Sequence, residues 1–339
     1  MWMTGRPASH ADGRMIRVVR MPLRSRVVAR RGPVPSLLVF RRPEVGCLTV
    51  LAAAWLVCAI LLPGRAQAAN REYPVRGMVL EVGRDQRSIV VSHDDIPGFM
   101  SSMTMPFDVR ADERLDAIVP GALVDFTLVV GDAGAYVSGV TVRGYEPADQ
   151  DPRVRLTPRQ AGGISRAVLS EAVPVGARVP GVMLTNQARR PVSLAGFAGK
   201  VVVLTFIETH CTLAQFCPRM SSHFVALQRR FARELGPDLV LVSVTIDPAR
   251  DTPDVLARYA ASVTATSPFW YFATGSEADV RRVGRLFGVD HLPNAASPTH
   301  SVRTAVVNRQ GTLAAQVEGN QFNAQQLGDL VLTVLNAPS

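Results

Sequence analysis

Apolar and polar positions alternate in short stretches between residues 73 and 142. Alternation with a period of two predicts β-strands. The predicted strands lie at residues 73–82, 88–93, 122–130 and 135–142, and a further extended strand carries Met103 and Met105. A glycine-rich turn, Gly131-Asp132-Ala133-Gly134, separates two of them and is typical of a hairpin. Five short strands in about seventy residues predict a small all-β (OB-like) barrel over residues 69–142.

Residues 175–339 follow a different pattern, in which apolar runs rich in β-branched residues alternate with helical periodicity. The predicted strands are residues 201–207, 238–244, 269–273, 302–308 and 312–317, and the predicted helices are residues 218–235, 253–262, 276–287 and 323–335. Alternating strands and helices with a closing hairpin and helix predict an α/β, thioredoxin-like domain. Residues 143–174 are polar, contain several Pro, Gly and Arg residues, and have the composition of an interdomain linker.

The N-terminal region has the layout of an export signal. A fifteen-residue apolar run, residues 48–62, follows Arg41 and Arg42 and precedes Ala66-Gln67-Ala68. This arrangement predicts a basic leader and secretory signal over residues 1–68, cleaved before Ala69. An uncleaved membrane anchor is the alternative, although the run is shorter than the ~20 residues of a typical spanning helix. We therefore expect a periplasmic or other extracytoplasmic location.

Net charge argues against a nucleic-acid partner. The formal charge of +9 comes from the leader, which holds 11 of the 37 basic residues and 2 of the 28 acidic ones, leaving 26 of each in the remainder. A mature protein with no net charge gives no reason to propose nucleic acid as a partner.

Cys211 and Cys217 are the two cysteines that remain after the predicted cleavage. They follow a buried-strand pattern, and Pro218 favours a helix that begins beside Cys217. We expect Cys217 to cap that helix, where the helix dipole would favour the thiolate, and Cys211 to lie in the preceding loop. The pair is a candidate redox dithiol, and a purely structural disulfide is the alternative.

A second candidate site lies in the predicted barrel, at His93, Met103 and Met105. The two methionines are two residues apart, so an extended strand would place both thioethers on one face. An imidazole with thioethers suits Cu(I) or Ag(I). Three of the six methionines after the leader fall between Met100 and Met105. The alternative is that these methionines fill the core of the barrel.

The remaining histidines are weaker candidates. His300 stands just before a predicted strand, where its imidazole could join the two thiolates, and such a set binds Cu(I) and can hold Cu(II). An ordinary loop residue is the alternative interpretation of His300. His210 could influence its neighbour Cys211 or replace a ligand, whereas His223 and His291 are interpreted as structural or surface residues.

Two family resemblances rest on these motifs. The segment with His93, Met103 and Met105 resembles the CusF-like copper-binding barrels, except that Met100 stands where the best-known member has a tryptophan. TFIETHCTLAQFCPRMS, VSVTIDPARDTPDVL and THSVRTAVVNRQG together resemble the Sco/SenC copper chaperones over residues 175–337. The resemblance implies copper ligands at Cys211, Cys217 and His300, although five residues separate the cysteines here instead of the usual three.

The combined hypothesis is an exported copper chaperone with no covalent substrate chemistry. By resemblance, its client is the copper centre of a cytochrome c oxidase, reached through an oxidase subunit or another periplasmic copper protein. The alternatives are a periplasmic thiol–disulfide oxidoreductase that attacks a client disulfide and a copper-resistance or sequestration protein.

Overall fold

A computed structural model describes residues 70–132, 134–144, 171–211, 215–289 and 302–338. The predicted leader, most of the predicted linker and His300 lie outside the described residues. Within the part of the chain that the structure describes, no helix combines the length and the apolar character needed to cross a membrane.

The N-terminal domain is a five-stranded antiparallel sheet with strand order β3-β2-β1-β4-β5. Its strands are β1 (Arg71–Gly83), β2 (Ser88–His93), β3 (Met103–Asp108), β4 (Leu123–Gly131) and β5 (Gly134–Val142). Val109, directly after β3, forms a bridge with Val137 on β5. This bridge brings the two edge strands together and closes the sheet into a barrel, which confirms the predicted all-β domain.

The C-terminal domain is a seven-stranded mixed sheet with strand order β12-β11-β8-β9-β10-β6-β7. Its strands are β6 (Met183–Asn186), β7 (Pro191–Ser193), β8 (Val201–Ile207), β9 (Leu239–Thr245), β10 (Trp270–Thr274), β11 (Arg303–Val307) and β12 (Leu313–Glu318). Its helices are α1 (Cys217–Arg230), α2 (Pro253–Ser262), α3 (Glu277–Leu286) and α4 (Ala324–Asn336), with a 3-10 helix at Leu194–Phe197. The predicted α/β, thioredoxin-like domain is confirmed.

The centre of this sheet explains why its strands read as continuous apolar runs. Every residue of β8 and β9 is buried, and the two strands pair in parallel. Parallel strands covered by helices on both faces carry no polar alternation.

The helix predicted over residues 218–235 is shorter in the structure, because α1 ends at Arg230 and Phe231 leaves the helical conformation. Phe231 and Leu235 are nevertheless buried in the same core.

The two domains share a hydrophobic core and belong to one compact unit that spans Gln67–Ser339. Met78, Leu80 and Leu123 of the barrel are almost fully buried in a cluster that includes Leu327 and Val331 of α4. A β-bulge in β1 between Val79 and Glu81 interrupts the regular alternation. The bulge explains how Met78, Val79 and Leu80 are all buried. Val79 packs in the barrel core, whereas Met78 and Leu80 pack in the shared core.

A backbone contact reinforces this interface. Gln316 N–H on β12 donates to the carbonyl of Pro120 at 3.3 Å. Gly121 has a φ of 92°, and a Cβ atom there would lie 2.6 Å from the Gln316 carbonyl oxygen. Only glycine permits this close approach without strain.

We expect Met78→Ala to destabilise both domains together. Removing a fully buried methionine side chain typically costs about 2–5 kcal/mol of unfolding free energy. Met183→Ala is the matched control, since Met183 is 60% exposed and its truncation should change stability by no more than about 0.5 kcal/mol. Urea unfolding followed by far-UV circular dichroism measures both. Equal stabilities for the two variants would contradict a shared core.

Candidate metal centres

The dithiol lies where the central strand β8 leads into α1. Cys217 is the first residue of α1, and Phe216 occupies the cap position without a side-chain cap bond. The prediction that Cys217 caps the helix is therefore wrong by one residue. Pro218 follows Cys217 within the first turn, where its missing N–H leaves no helical hydrogen bond unmade.

The two cysteines lie close together as thiols. Neither Cys211 nor Cys217 forms a disulfide in the described structure. Cys217 is 4% exposed, and its sulfur accepts a hydrogen bond from the backbone N–H of Glu208 at 3.4 Å. The hydrogen bond with the Cys211 side chain raises the pKa of the Cys217 thiol above its ordinary value, and burial raises it further. The prediction of a favoured thiolate is wrong in this state, because the neighbouring sulfur and desolvation outweigh the helix end.

Asp251 holds the loop that leads to Cys211. This carboxylate is fully buried and accepts hydrogen bonds from the Thr209 N–H at 3.2 Å, the Thr245 hydroxyl at 2.6 Å and the Thr209 hydroxyl. The His210 imidazole lies 3.7 Å from the same carboxylate. A buried carboxylate needs such donors, so Asp251 ties the segment before Cys211 to the end of β9.

The third predicted ligand of this centre, His300, lies outside the described residues. The chain resumes at Val302, directly before β11, which pairs with β8 so that Thr304 opposes Thr205. In the described ranges no group of three or more His, Cys, Asp or Glu side chains is arranged to hold a metal ion. The described part of the dithiol centre therefore consists of two sulfurs.

His93 in the barrel has one nitrogen oriented and the other unpartnered. The side chain is 1% exposed, and Nδ1 lies 2.7 Å from the carbonyl oxygen of Asp94. A carbonyl can only accept, so Nδ1 is the donor in this contact and Nε2 is the nitrogen that points elsewhere. Nε2 is buried and makes no hydrogen bond within the described structure. An orphaned, aromatic nitrogen of this kind fits a metal ligand.

The strand register places the methionines beside His93. His93 opposes Met103, and Val91 opposes Met105, in the antiparallel pairing of β2 with β3. Directly opposed residues have Cβ atoms about 4.5–5.5 Å apart, and diagonal neighbours remain within reach of long side chains. His93, Met103 and Met105 therefore share one face. Met103 is 48% exposed, whereas Met105 packs partly against the barrel core.

Met100 lies in the loop before β3 instead of on the strand. Its backbone forms a bridge with Ile96, and its side chain packs partly against the barrel core. The adjacent Phe99 is 41% exposed and stacks on Tyr73 with ring centroids 4.5 Å apart. These contacts anchor the loop that joins β2 to β3.

Comparison with known proteins assigns both domains. The family model described as SCO1/SenC matches residues 181–335, and the model described as copper binding periplasmic protein CusF matches residues 72–142. We refer to the two matched regions as the CusF-like domain and the SCO1/SenC domain, after the models that they match.

Individual relatives resemble the SCO1/SenC domain. The SCO1 protein homolog of Bacillus subtilis (strain 168) is 32% identical over 102 residues, covering 30% of this chain and 51% of that protein. The mitochondrial SCO2 homolog of Homo sapiens is 28% identical over 144 residues, covering 40% of this chain and 52% of that protein. The chain thus spans about half the length of each relative. Arabidopsis thaliana ScoI with copper bound is 22% identical with a TM-score of 0.40, covering 47% of this chain and 98% of that chain.

Two features of the SCO1/SenC domain were not predicted from the sequence. Tyr259 on α2 shares a 2.9 Å hydrogen bond with Ser221 on the dithiol helix, and burial raises the pKa of Tyr259 to about 12. Asn320 donates to the carbonyl of Gln215, just before Cys217. No motif marks these residues, since their contacts join segments far apart in the chain.

His223 on α1 is buried and neutral. It is 7% exposed, its Nδ1 has no hydrogen-bond partner in the described structure, and its ring lies 5.2 Å from that of Phe322. Burial, aided by the positive charge of Arg219, lowers the pKa of His223 from 6.5 to about 4. The structural role predicted for this histidine fits its position beneath Phe322.

We expect His223 to make the protein less stable in mild acid. Below pH 6.5 the unfolded chain binds the proton before the folded one, so stability falls as the pH drops towards 4. The loss from this residue should be on the order of 2 kcal/mol. Denaturant unfolding of the wild type and His223→Phe between pH 7 and pH 4 measures it. Identical pH profiles would contradict a lowered pKa for His223.

Proposed function

We propose that the protein is an extracytoplasmic copper chaperone in which both domains bind copper as cargo. The observation that carries the proposal is the buried, unpartnered Nε2 of His93 beside Met103 in the CusF-like domain. The second support is the contact between Cys211 and Cys217 in the SCO1/SenC domain. Both donor sets consist of soft or borderline ligands, which favour Cu(I) over hard cations.

In the CusF-like domain, His93, Met103 and Met105 would hold Cu(I). Their common face satisfies the geometric requirement, and the exposed Met103 gives the ion a route from solvent. The two thioethers would bind a soft metal ion without losing protons.

In the SCO1/SenC domain, Cys211, Cys217 and His300 would form the second site. β11 pairs with β8, and His300 precedes Val302 by two residues in the chain, which together support the inclusion of this histidine in the proposal. Because the Cys211 side chain and burial raise the pKa of the Cys217 thiol, copper binding here would release its proton. The five residues between the cysteines allow a wider loop than the usual three.

Delivery would proceed by ligand exchange with a copper protein outside the cytoplasm. The resemblance to Sco proteins makes a cytochrome c oxidase subunit the proposed client. The CusF family is described as periplasmic, which supports the same compartment. The export signal over residues 1–68 remains a prediction, and no covalent substrate step is required.

Anaerobic Cu(I) titration of the reduced, leader-free protein tests the two sites. We expect two equivalents of copper, and one after Cys211→Ser with Cys217→Ser. His300→Ala should weaken copper binding at the dithiol by at least about tenfold while leaving thiol–disulfide exchange nearly intact. Unchanged copper affinity in His300→Ala would remove His300 from the ligand set.

The barrel site has its own test. In the protein that lacks both cysteines, Met103→Ala with Met105→Ala should abolish the remaining equivalent of Cu(I), because one imidazole alone holds the ion weakly. Met183→Ala is the control for loss of a solvent-exposed methionine. Retained stoichiometry in the double variant would assign Met103 and Met105 to packing.

A thiol–disulfide oxidoreductase is the second candidate, favoured by the direct contact between Cys211 and Cys217. In that function one thiolate attacks a client disulfide, and the second cysteine then releases the client as a dithiol. Rapid reduction of a disulfide substrate, with no copper bound at the dithiol, would support this candidate.

A copper-sequestration protein is the remaining alternative. Copper bound at both sites but never passed to a cytochrome oxidase subunit would favour it.

A further inference from the structure

Strand alternation sends the neighbours of the proposed copper ligands to the opposite face of the β2–β3 hairpin. His93 and Met103 lie on the face that carries the proposed site, so Ser92 and Thr104 lie on the other face. That second face meets helix α4 of the SCO1/SenC domain. Ser92 is 1% exposed there, although it belongs to a short strand of a different domain.

Asp329 on α4 accepts hydrogen bonds from both of these hydroxyl groups. Its Oδ2 atom lies 2.8 Å from the Ser92 Oγ and 3.0 Å from the Thr104 Oγ1. Ser92 directly precedes His93, and Thr104 lies between Met103 and Met105. One carboxylate oxygen therefore ties together the two strands at the positions that adjoin every proposed barrel ligand.

The dithiol helix α1 holds Asp329 in place. Arg230, the last residue of α1, donates to the other carboxylate oxygen, Oδ1, at 2.6 Å, and the Asp329 side chain is 14% exposed. Gly328 leaves room for the Arg230 guanidinium beside α4, because a Cβ atom at this position would crowd the end of that side chain.

The first turn of α4 holds the other side of His93. Gln326 donates to the Ser92 carbonyl at 3.3 Å and to the Asp94 carboxylate at 3.1 Å. Asn323, the cap of α4, donates to the same Asp94 oxygen at 3.4 Å. The residues on both sides of His93 are thus bound by one helix of the neighbouring domain.

We propose that Asp329 is a positioning residue for the copper site of the CusF-like domain. It sets the spacing of β2 and β3, so that the Nε2 of His93 and the thioethers of Met103 and Met105 converge before the ion arrives. The barrel site therefore reaches full affinity only when it is docked on the SCO1/SenC domain. The inference rests on the proposed function, because it assumes Cu(I) binding at His93.

The test uses the full chain with Cys211→Ser and Cys217→Ser, which leaves the barrel site alone. Cu(I) affinity is measured anaerobically by competition with a chromogenic Cu(I) chelator. Asp329→Ala should weaken binding by about 10–100-fold, the usual effect of removing a partner that orients metal ligands. Asp329→Asn keeps one oxygen that can accept from both hydroxyls but loses the ion pair with Arg230, so its affinity should fall between that of Asp329→Ala and that of the parent.

Combining the substitutions tests whether Asp329 acts on Cu(I) affinity through the two hydroxyl groups. Ser92→Ala with Thr104→Val removes the two hydroxyls and should reproduce most of the loss in Asp329→Ala. Adding Asp329→Ala to that pair should weaken binding little further, since both changes remove the same interaction. In the metal-free protein, Asp329→Ala should also speed amide hydrogen exchange in β2 and β3. Fully additive effects would overturn the proposal.

Asp238→Ala is the control, because Asp238 also forms an ion pair with an arginine, Arg309, elsewhere in the domain, at a longer distance of 3.4 Å. It should leave Cu(I) affinity at the parent value. If Asp329→Ala binds Cu(I) as tightly as the parent while His93→Ala abolishes binding, the positioning role of Asp329 is overturned and the proposed function is not. A parent protein with no His93-dependent Cu(I) binding would instead overturn the proposed function.

Discussion

Burial of Met78 and Leu80 against α4 is the interaction on which the arrangement of the two domains depends. These side chains leave the barrel core through a bulge in β1 and enter the core of the SCO1/SenC domain. An ordinary linker between domains would leave their relative positions variable. Here apolar packing fixes one face of the barrel, and the polar contacts of Asp329 and Gln326 become favourable because that packing already excludes water.

The two proposed copper sites differ in chemistry. The barrel offers two thioethers and an orphaned imidazole nitrogen. At the dithiol, the Cys211 side chain and burial raise the pKa of the Cys217 thiol. A thiol must lose its proton to become a metal ligand, so copper would compete with protons at the proposed dithiol site.

The local sequence pattern predicted the structure correctly where burial of apolar side chains alone decided it. Strand alternation predicted the barrel, and apolar runs predicted β8 and β9, because burial on one or both faces leaves a direct mark on residue choice. Prediction failed where competing contacts decided the outcome. The end of α1, the first helical position of Cys217 and the protonation of its thiol all depend on neighbours from other segments.

Sequence alone determined the two domain types and supplied the candidate donor residues, since strand and helix periodicity, residue spacing and family resemblance can all be read along the chain. Only the tertiary structure decided that the domains share a core, that Nε2 of His93 is left without a partner, and that Asp329 binds the residues beside the barrel ligands. Ser92 and Asp329 are 237 residues apart in the chain. No local pattern encodes such a contact, because it exists only after both domains have folded and docked.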